Sequence, residues 1–206
     1  MKLRLVATMV LGVAVLTGCS DSPKLAGSAV VVNGKVIPAS AVSERVDKVR
    51  AQIQVTDPSL IREVPSLIQI NQRAVDHFVL VSLLEEVVAR EGINITDLDV
   101  AAYRDEVFAQ YAQETIEAQL VSQNAVPADD VNGFMYEIMV QRILMEKPSP
   151  GADIQTQYAA KTDYLTSLSE ELGVELNPRF GKWDPDNLIS TPGDKTLAVP
   201  LPISLG

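Results

Sequence analysis

Residues 29–53 read AVVVNGKVIPASAVSERVDKVRAQI, and the change of period inside this stretch decides the fold. Two β-branched runs, Val30-Val31-Val32 and Val36-Ile37, flank Asn33-Gly34. Asn-Gly between such runs is a strong short-range hairpin signal, because both central residues of a type I′ turn need positive φ. Beyond Pro38 the apolar residues fall at Val42, Val46, Val49 and Ile53, which is one face of a helix. Ser40 is the expected N-cap of that helix. Asp57-Pro58 is a breaker pair that ends it near Val55-Thr56. The folded part of the chain therefore opens with a small hairpin feeding a helix, and the residues after it are mostly helical in pattern.

Upstream, Lys2 and Arg4 form a basic region ahead of the apolar run from Leu5 to Leu16, with Thr17-Gly18-Cys19 after it. A run of 12 residues is short of the ~20 needed to span a bilayer and reads as a secretory signal. Its ending, Leu16-Thr17-Gly18-Cys19, resembles the lipobox of bacterial lipoproteins. That resemblance implies cleavage before Cys19, acyl chains on the Cys19 sulfur and amine, and anchoring at the extracytoplasmic face of the cell membrane. Two or three chains hold a protein stably where one would be marginal. Cys19 is the only cysteine of the chain, so no internal disulfide framework exists. Residues 1–18 are read as the signal peptide and 19–28 as a polar tether. Losing Lys2 and Arg4 moves the formal charge from −10 to −12, with 15 basic residues against 27 acidic. An acidic surface disfavours nucleic acid and electrostatic attachment to anionic lipid.

Downstream, Pro65 interrupts a weakly helical stretch. A long helix is then signalled from about 71 to 90, with Val75, Phe78, Val79, Leu83, Val87 and Val88 on a wide apolar face and Gly92 as C-cap. An apolar face this wide suits the central helix of a bundle. Thr96 and Asp99 mark the next N-terminus, and a single helix is expected over 97–122. Pro127 fits the first position of another helix, with Asp129 and Asp130 at its positive end. That helix carries Val131, Phe134, Met135, Ile138, Met139 and Ile143 and stops at Lys147-Pro148. A last helix covers about 152–172, is capped by Gly173, and leads into the short extended run Val174-Glu175-Leu176. The fold class expected is mainly α, a helical bundle with a small β-hairpin paired to that short C-terminal strand. The domain is read as 29–185, followed by a flexible or surface-lying tail over 186–206.

Three motifs carry a family resemblance. Val32-Asn33-Gly34-Lys35-Val36-Ile37, the stretch Ile93-Asn94-Ile95-Thr96-Asp97 behind a long helix, and Asn177-Pro178-Arg179-Phe180-Gly181 with Trp183-Asp184 occur in this order. Together they resemble the N-terminal chaperone domain shared by SurA and the PrsA-type foldases, and most closely the SurA N-terminal-like lipoproteins of actinobacteria. The resemblance implies that the first and last strands come together and that the last helix completes the bundle. The residues themselves are read as structural at Asn33, Gly34, Asn177, Phe180, Gly181 and Trp183, with Trp183, the only tryptophan, expected to pack on the hairpin or first helix. Those foldases place prolyl isomerase domains where this chain has only 147–151, so isomerase activity is not carried over.

Catalytic patterns are missing from the sequence. His77 is the only histidine, and Gly-x-Ser-x-Gly and glycine-rich phosphate loops are absent. Without a second thiol or imidazole, no zinc site of nitrogen and sulfur ligands can be built. Glu85-Glu86 reads as a solvated face, and Asp129-Asp130 as helix N-terminal charge. No enzyme activity, cofactor or metal is expected. For binding, Phe134, Met135 and Met139 are the candidate peptide-contacting residues, because methionine repacks easily on promiscuous surfaces. The expected function is a membrane-anchored, chaperone-like lipoprotein that binds unfolded or partly folded exported polypeptides. The alternative is a cell-envelope scaffold lipoprotein with one specific protein partner.

Overall fold

The structure is a computed structural model and describes residues 25, 27–147 and 150–193. Cys19, residues 1–18 read as a signal peptide, and residues 194–206 lie outside the described residues. The described chain is mainly helical with a small antiparallel sheet.

Strands β1 (Ser28–Val32) and β2 (Lys35–Pro38) form the expected hairpin, in register Val32↔Lys35. Asn33 and Gly34 sit at φ 49° and 75°, the pair of positive angles that a type I′ turn requires. Every residue of β1 is buried. A strand covered on both faces reads as a continuous apolar run rather than an alternation, which accounts for Ala29-Val30-Val31-Val32.

Helix α1 (Ala39–Val55) starts directly after Pro38, which is its N-cap and offers no side-chain acceptor. The expectation of Ser40 as N-cap is corrected: the helix begins as soon as the proline is passed, so Ser40 falls inside the first turn. Helix α2 (Leu67–Glu91) starts four residues earlier than expected. Ser66 accepts from the Gln69 N–H at 3.3 Å, and the Gln69 side chain accepts from the Ser66 N–H at 2.7 Å. This reciprocal capping box satisfies two otherwise orphaned donors, and it leaves Pro65 outside the helix, where it interrupts nothing. Gly92, at φ 62°, ends α2 in the left-handed conformation.

The helix expected over 97–122 is two helices, α3 (Asp97–Phe108) and α4 (Gln113–Asn124). Nothing between them is a helix breaker: residues 109–112 are Ala, Gln, Tyr and Ala. The division is tertiary. Helix α3 packs on α5 (Val131–Glu146), whereas α4 packs on α1, and one straight rod cannot face both. Pro127 is likewise not at the first position of α5. It precedes the 3-10 turn Ala128–Asp130, and α5 begins at Val131. Asp130 has a non-helical backbone there, and its carboxylate reaches back to Arg45 on α1 at 2.5 Å.

Helix α6 (Ile154–Leu172) is followed by β3 (Val174–Leu176), which pairs antiparallel with β1 through Val30↔Leu176 and Val32↔Val174. The sheet order is β2-β1-β3. Three residues cannot form a stable strand alone; β3 is held by β1 and by Asn177. The Asn177 N–H donates to the Ala29 carbonyl at 2.8 Å, and Nδ2 donates to the Leu25 and Ser28 carbonyls at 3.0 and 2.9 Å.

Strands β4 (Lys182–Asp184) and β5 (Ile189–Thr191) form a second hairpin, and β5 packs on α2. Residues 186–193, read as the start of the tail, belong to the packed fold, and the rest of that reading falls on residues outside those described. The Asp76 carboxylate on α2 accepts the Ser190 N–H at 2.6 Å, a tether with no local sequence signal.

One core joins β1, α1, α2 and α6, with Val30, Val42, Val49, Val75, Val79 and Val87 fully buried. Burying each such side chain contributes roughly 1.5–3 kcal/mol before entropy is charged against it. A smaller cluster of Val100, Ile116, Leu120, Val126, Val131 and Met135 lies among α3, α4 and α5.

Candidate functional site

Three helices present one stripe each to a common cleft. Helix α2 gives Arg73, Asp76, His77, Leu80 and Leu83. Helix α5 gives Phe134, Glu137 and Gln141, and α6 gives Lys161, Thr162 and Leu165. Apart from the adjacent pairs Asp76–His77 and Lys161–Thr162, the residues recur at spacings of three or four, so each set lies on one side of its helix. The β4–β5 hairpin closes the cleft with Trp183, Asn187 and Leu188. The enclosed volume is about 350 Å³, near the lower end of the range of ~300–1,000 Å³ for ligand sites.

The walls mix apolar surface with paired polar groups. Lys161 Nζ donates to Gln141 Oε1 at 3.2 Å and stands 5.2 Å from the centre of the Tyr158 ring. Burial pushes the Lys161 ammonium below its ordinary pKa. Burial also pushes the Asp76 carboxyl above its ordinary value, against the opposing effect of its hydrogen bonds from Ser190. Arg73 Nη1 donates to the Ser122 carbonyl at 2.6 Å near the end of α4, where an exposed last-turn carbonyl needs a donor.

From the cleft wall a row of ionisable side chains runs back to α1. His77 Nδ1 lies 3.4 Å from Glu137, and Nε2 lies 3.7 Å from Asp130. Asp130 in turn accepts from Arg45 Nη1. Arg45 and Glu137 are 7% and 6% exposed. Arg45 Nε and Nη2 have no hydrogen-bond partner among the described residues. His77 also meets the edge of Phe78 at 5.4 Å between ring centres. The imidazole thus lies between two carboxylates, one on α5 and one on the turn before it.

The three candidate peptide-contacting residues all lie in or against the second core cluster, and of them only Phe134 also lines the cleft. Phe134 is half-buried and lines the cleft. Met135 is 2% exposed within the second core cluster, and half-buried Met139 packs against that same cluster. The reading of Met135 as a surface residue is therefore corrected: on α5 it faces α3 and α4, not solvent. Trp183 packs against the main core and bonds α6, its Nε1 donating to Ser169 Oγ at 2.8 Å. Phe180 packs on the main core. Gly181 has φ 115°, and a Cβ there would lie 2.1 Å from the Thr191 carbonyl oxygen. Glu85 pairs with Lys35 and Glu86 with Arg90, on exposed faces.

Sequence reasoning missed Asp76, Gln141, Lys161 and Leu188 as partners in one cleft. The helical spacings of Asp76, Gln141 and Lys161 are legible, but which stripes face one another, and that the β4–β5 turn brings Leu188 to them, depends on how α2, α5 and α6 cross. Among the described residues no group of three or more His, Cys, Asp or Glu is placed to hold a metal. Nor is any helix among them long and apolar enough to cross a membrane. Comparison with family models, curated proteins and solved structures finds no match to this chain.

Proposed function

We propose that this chain is a lipid-anchored, chaperone-like module of the SurA N-terminal type, holding segments of unfolded exported polypeptides without prolyl isomerase activity. The observation that carries the reading is the mixed cleft among α2, α5, α6 and the β4–β5 hairpin. Phe134, Leu80, Leu165 and Leu188 supply apolar surface, while Gln141, Asn187 and Lys161 add polar groups along the rim. Such a lining suits a peptide, whose apolar side chains and polar backbone must be met together. Two further features support it. The closure of β3 on β1 has the strand order that the resemblance implies. The connection between α5 and α6 is 147–153, too short for an inserted isomerase. The protein acts by binding, with Cys19 acyl chains holding it at the outer face of the membrane.

The test is suppression of aggregation of a chemically unfolded protein by stoichiometric amounts of the chain, beside a Phe134→Ala/Gln141→Ala variant. The parent slows aggregation, and the variant, folded by circular dichroism, does so several-fold less. Absence of suppression at several-fold excess rejects the reading in favour of a scaffold lipoprotein with one partner.

A further inference from the structure

We propose that the cleft among α2, α5, α6 and the β4–β5 hairpin selects peptide segments that carry a carboxylate beside apolar side chains, with Lys161 as the residue that pairs with the carboxylate. The selection rests on the cleft being a peptide site and says which peptides it takes. The chain as a whole is acidic, with 27 Asp and Glu against 17 Lys and Arg, so an ammonium on its surface readily finds an acid. Lys35, Lys48 and Lys147 each pair with at least one. Those three lysines are exposed, whereas Lys161 is half-buried. Desolvation asks for the opposite arrangement, since a buried charge needs a partner more than an exposed one does. Yet Lys161 Nζ meets only neutral groups, Gln141 Oε1 at 3.2 Å and the Tyr158 ring at 5.2 Å. No carboxylate among the described residues pairs with it.

The ammonium has three N–H donors, and Gln141 takes one of them. Burial pushes its pKa down, and a carboxylate brought alongside offsets that cost because it favours the charged form. The acids already in the lining are engaged elsewhere. Asp76 accepts the Ser190 N–H at 2.6 Å, and Glu137 lies 3.4 Å from His77 Nδ1. Arg73, the other cation of the lining, donates to the neutral Ser122 carbonyl. Positive charge without an acidic partner is thus gathered in the cleft of a chain whose net charge is −10. The apolar part of the requirement comes from the same walls. Leu165 lies one turn beyond Lys161 on α6, and Leu80, Phe134 and Leu188 line the same space. A carboxylate on the Lys161 ammonium leaves neighbouring side chains of the segment within reach of that apolar wall. An aspartate or glutamate side chain and a free C-terminus both supply this chemistry.

Fluorescence anisotropy of the full chain in mild detergent at low salt, with short labelled peptides, tests this. The probes are an amidated peptide of leucine, phenylalanine and serine around one glutamate, its twin with glutamine, and the glutamine twin with a free C-terminus. The glutamate peptide, the free-ended peptide or both are expected to bind at least about fivefold tighter than the amidated glutamine peptide. Which of them does so assigns the carboxylate to a side chain or to a chain end. Lys161→Met is expected to bring that ratio to about one, whatever it does to binding as a whole, and Lys161→Arg to keep it above one. Loss in the first variant with retention in the second is a pattern that misfolding cannot give. Equal affinity of the parent for all three peptides overturns the proposal and leaves the cleft a peptide site. A preference that survives in Lys161→Met overturns it too. Binding of none of the peptides rejects the peptide site itself, and the selection with it.

Discussion

The backbone of Gly181 lies so close to the carbonyl of Thr191 that a Cβ would stand 2.1 Å from the oxygen. The contact brings the turn after β3 against the end of β5, and no flexible side chain is available to yield. Gly181 also holds φ 115°, a region closed to other residues at little cost. Strain of this kind costs ~1–3 kcal/mol before the clash is counted. Gly181→Ala is expected to lower the melting temperature by about 5–10 °C, read by differential scanning calorimetry, with the β4–β5 hairpin displaced from α2.

Gly34 makes the contrasting case. Its φ is 75°, yet nothing lies within 4 Å of an added Cβ. Only the conformational cost of the left-handed region applies, ~1–2 kcal/mol. Gly34→Ala is expected to be clearly milder than Gly181→Ala in urea unfolding, with the same m-value. A Gly34→Ala chain as stable as the parent would contradict the turn.

Arg45 and Asp130 meet at 2.5 Å with side chains 8% and 33% exposed. Removing one partner of a buried pair strands the other, at ~3–5 kcal/mol. Asp130 is only partly buried, so Asp130→Ala is placed at the low end, about 3 kcal/mol. Arg45→Met/Asp130→Ala, which removes both charges, is expected to recover most of that loss in the same urea titration. A double variant as unstable as Asp130→Ala alone would show that shape, not charge, sets the cost.

Asp76 gives a pH dependence of known sign. Burial raises its folded pKa above the unfolded value, so the folded state holds the proton more tightly. Its contribution is most favourable below the unfolded pKa, ~3.9, and is lost as pH rises through the folded pKa. Asp76→Asn keeps an oxygen to accept the Ser190 N–H without burying a charge. It is expected to melt at or above the parent temperature at pH 7, with the difference shrinking toward pH 4. A variant markedly less stable at pH 7 would show that the ionised carboxylate is needed to hold Ser190.

Local chemistry determined much of this protein by itself. Asn33-Gly34 dictates its turn because few residue pairs accept two positive φ values. Gly92 and the Thr96–Asp99 box end and begin helices because orphaned backbone groups need partners within a few residues. The run Ala29–Val32 and the 3.6-residue stripes announce which faces are apolar. The capping box Ser66–Gln69 is equally legible from its spacing, although Pro65 beside it suggests an interruption instead. Tertiary structure alone decided the rest. The division of 97–124 into α3 and α4 has no breaker, only two different packing partners. Met135 and Phe134 are adjacent on α5 and meet the same cluster, yet Met135 is sealed within it while Phe134 packs at its edge and lines the cleft as well. The cleft joins residues as far apart as Asp76 and Leu188, and the capture of Ser190 by Asp76 spans a similar stretch of chain. A periodic stripe tells which way a side chain points from its own helix axis. What it meets there is set by the crossing of helices remote in sequence, and no local pattern encodes that.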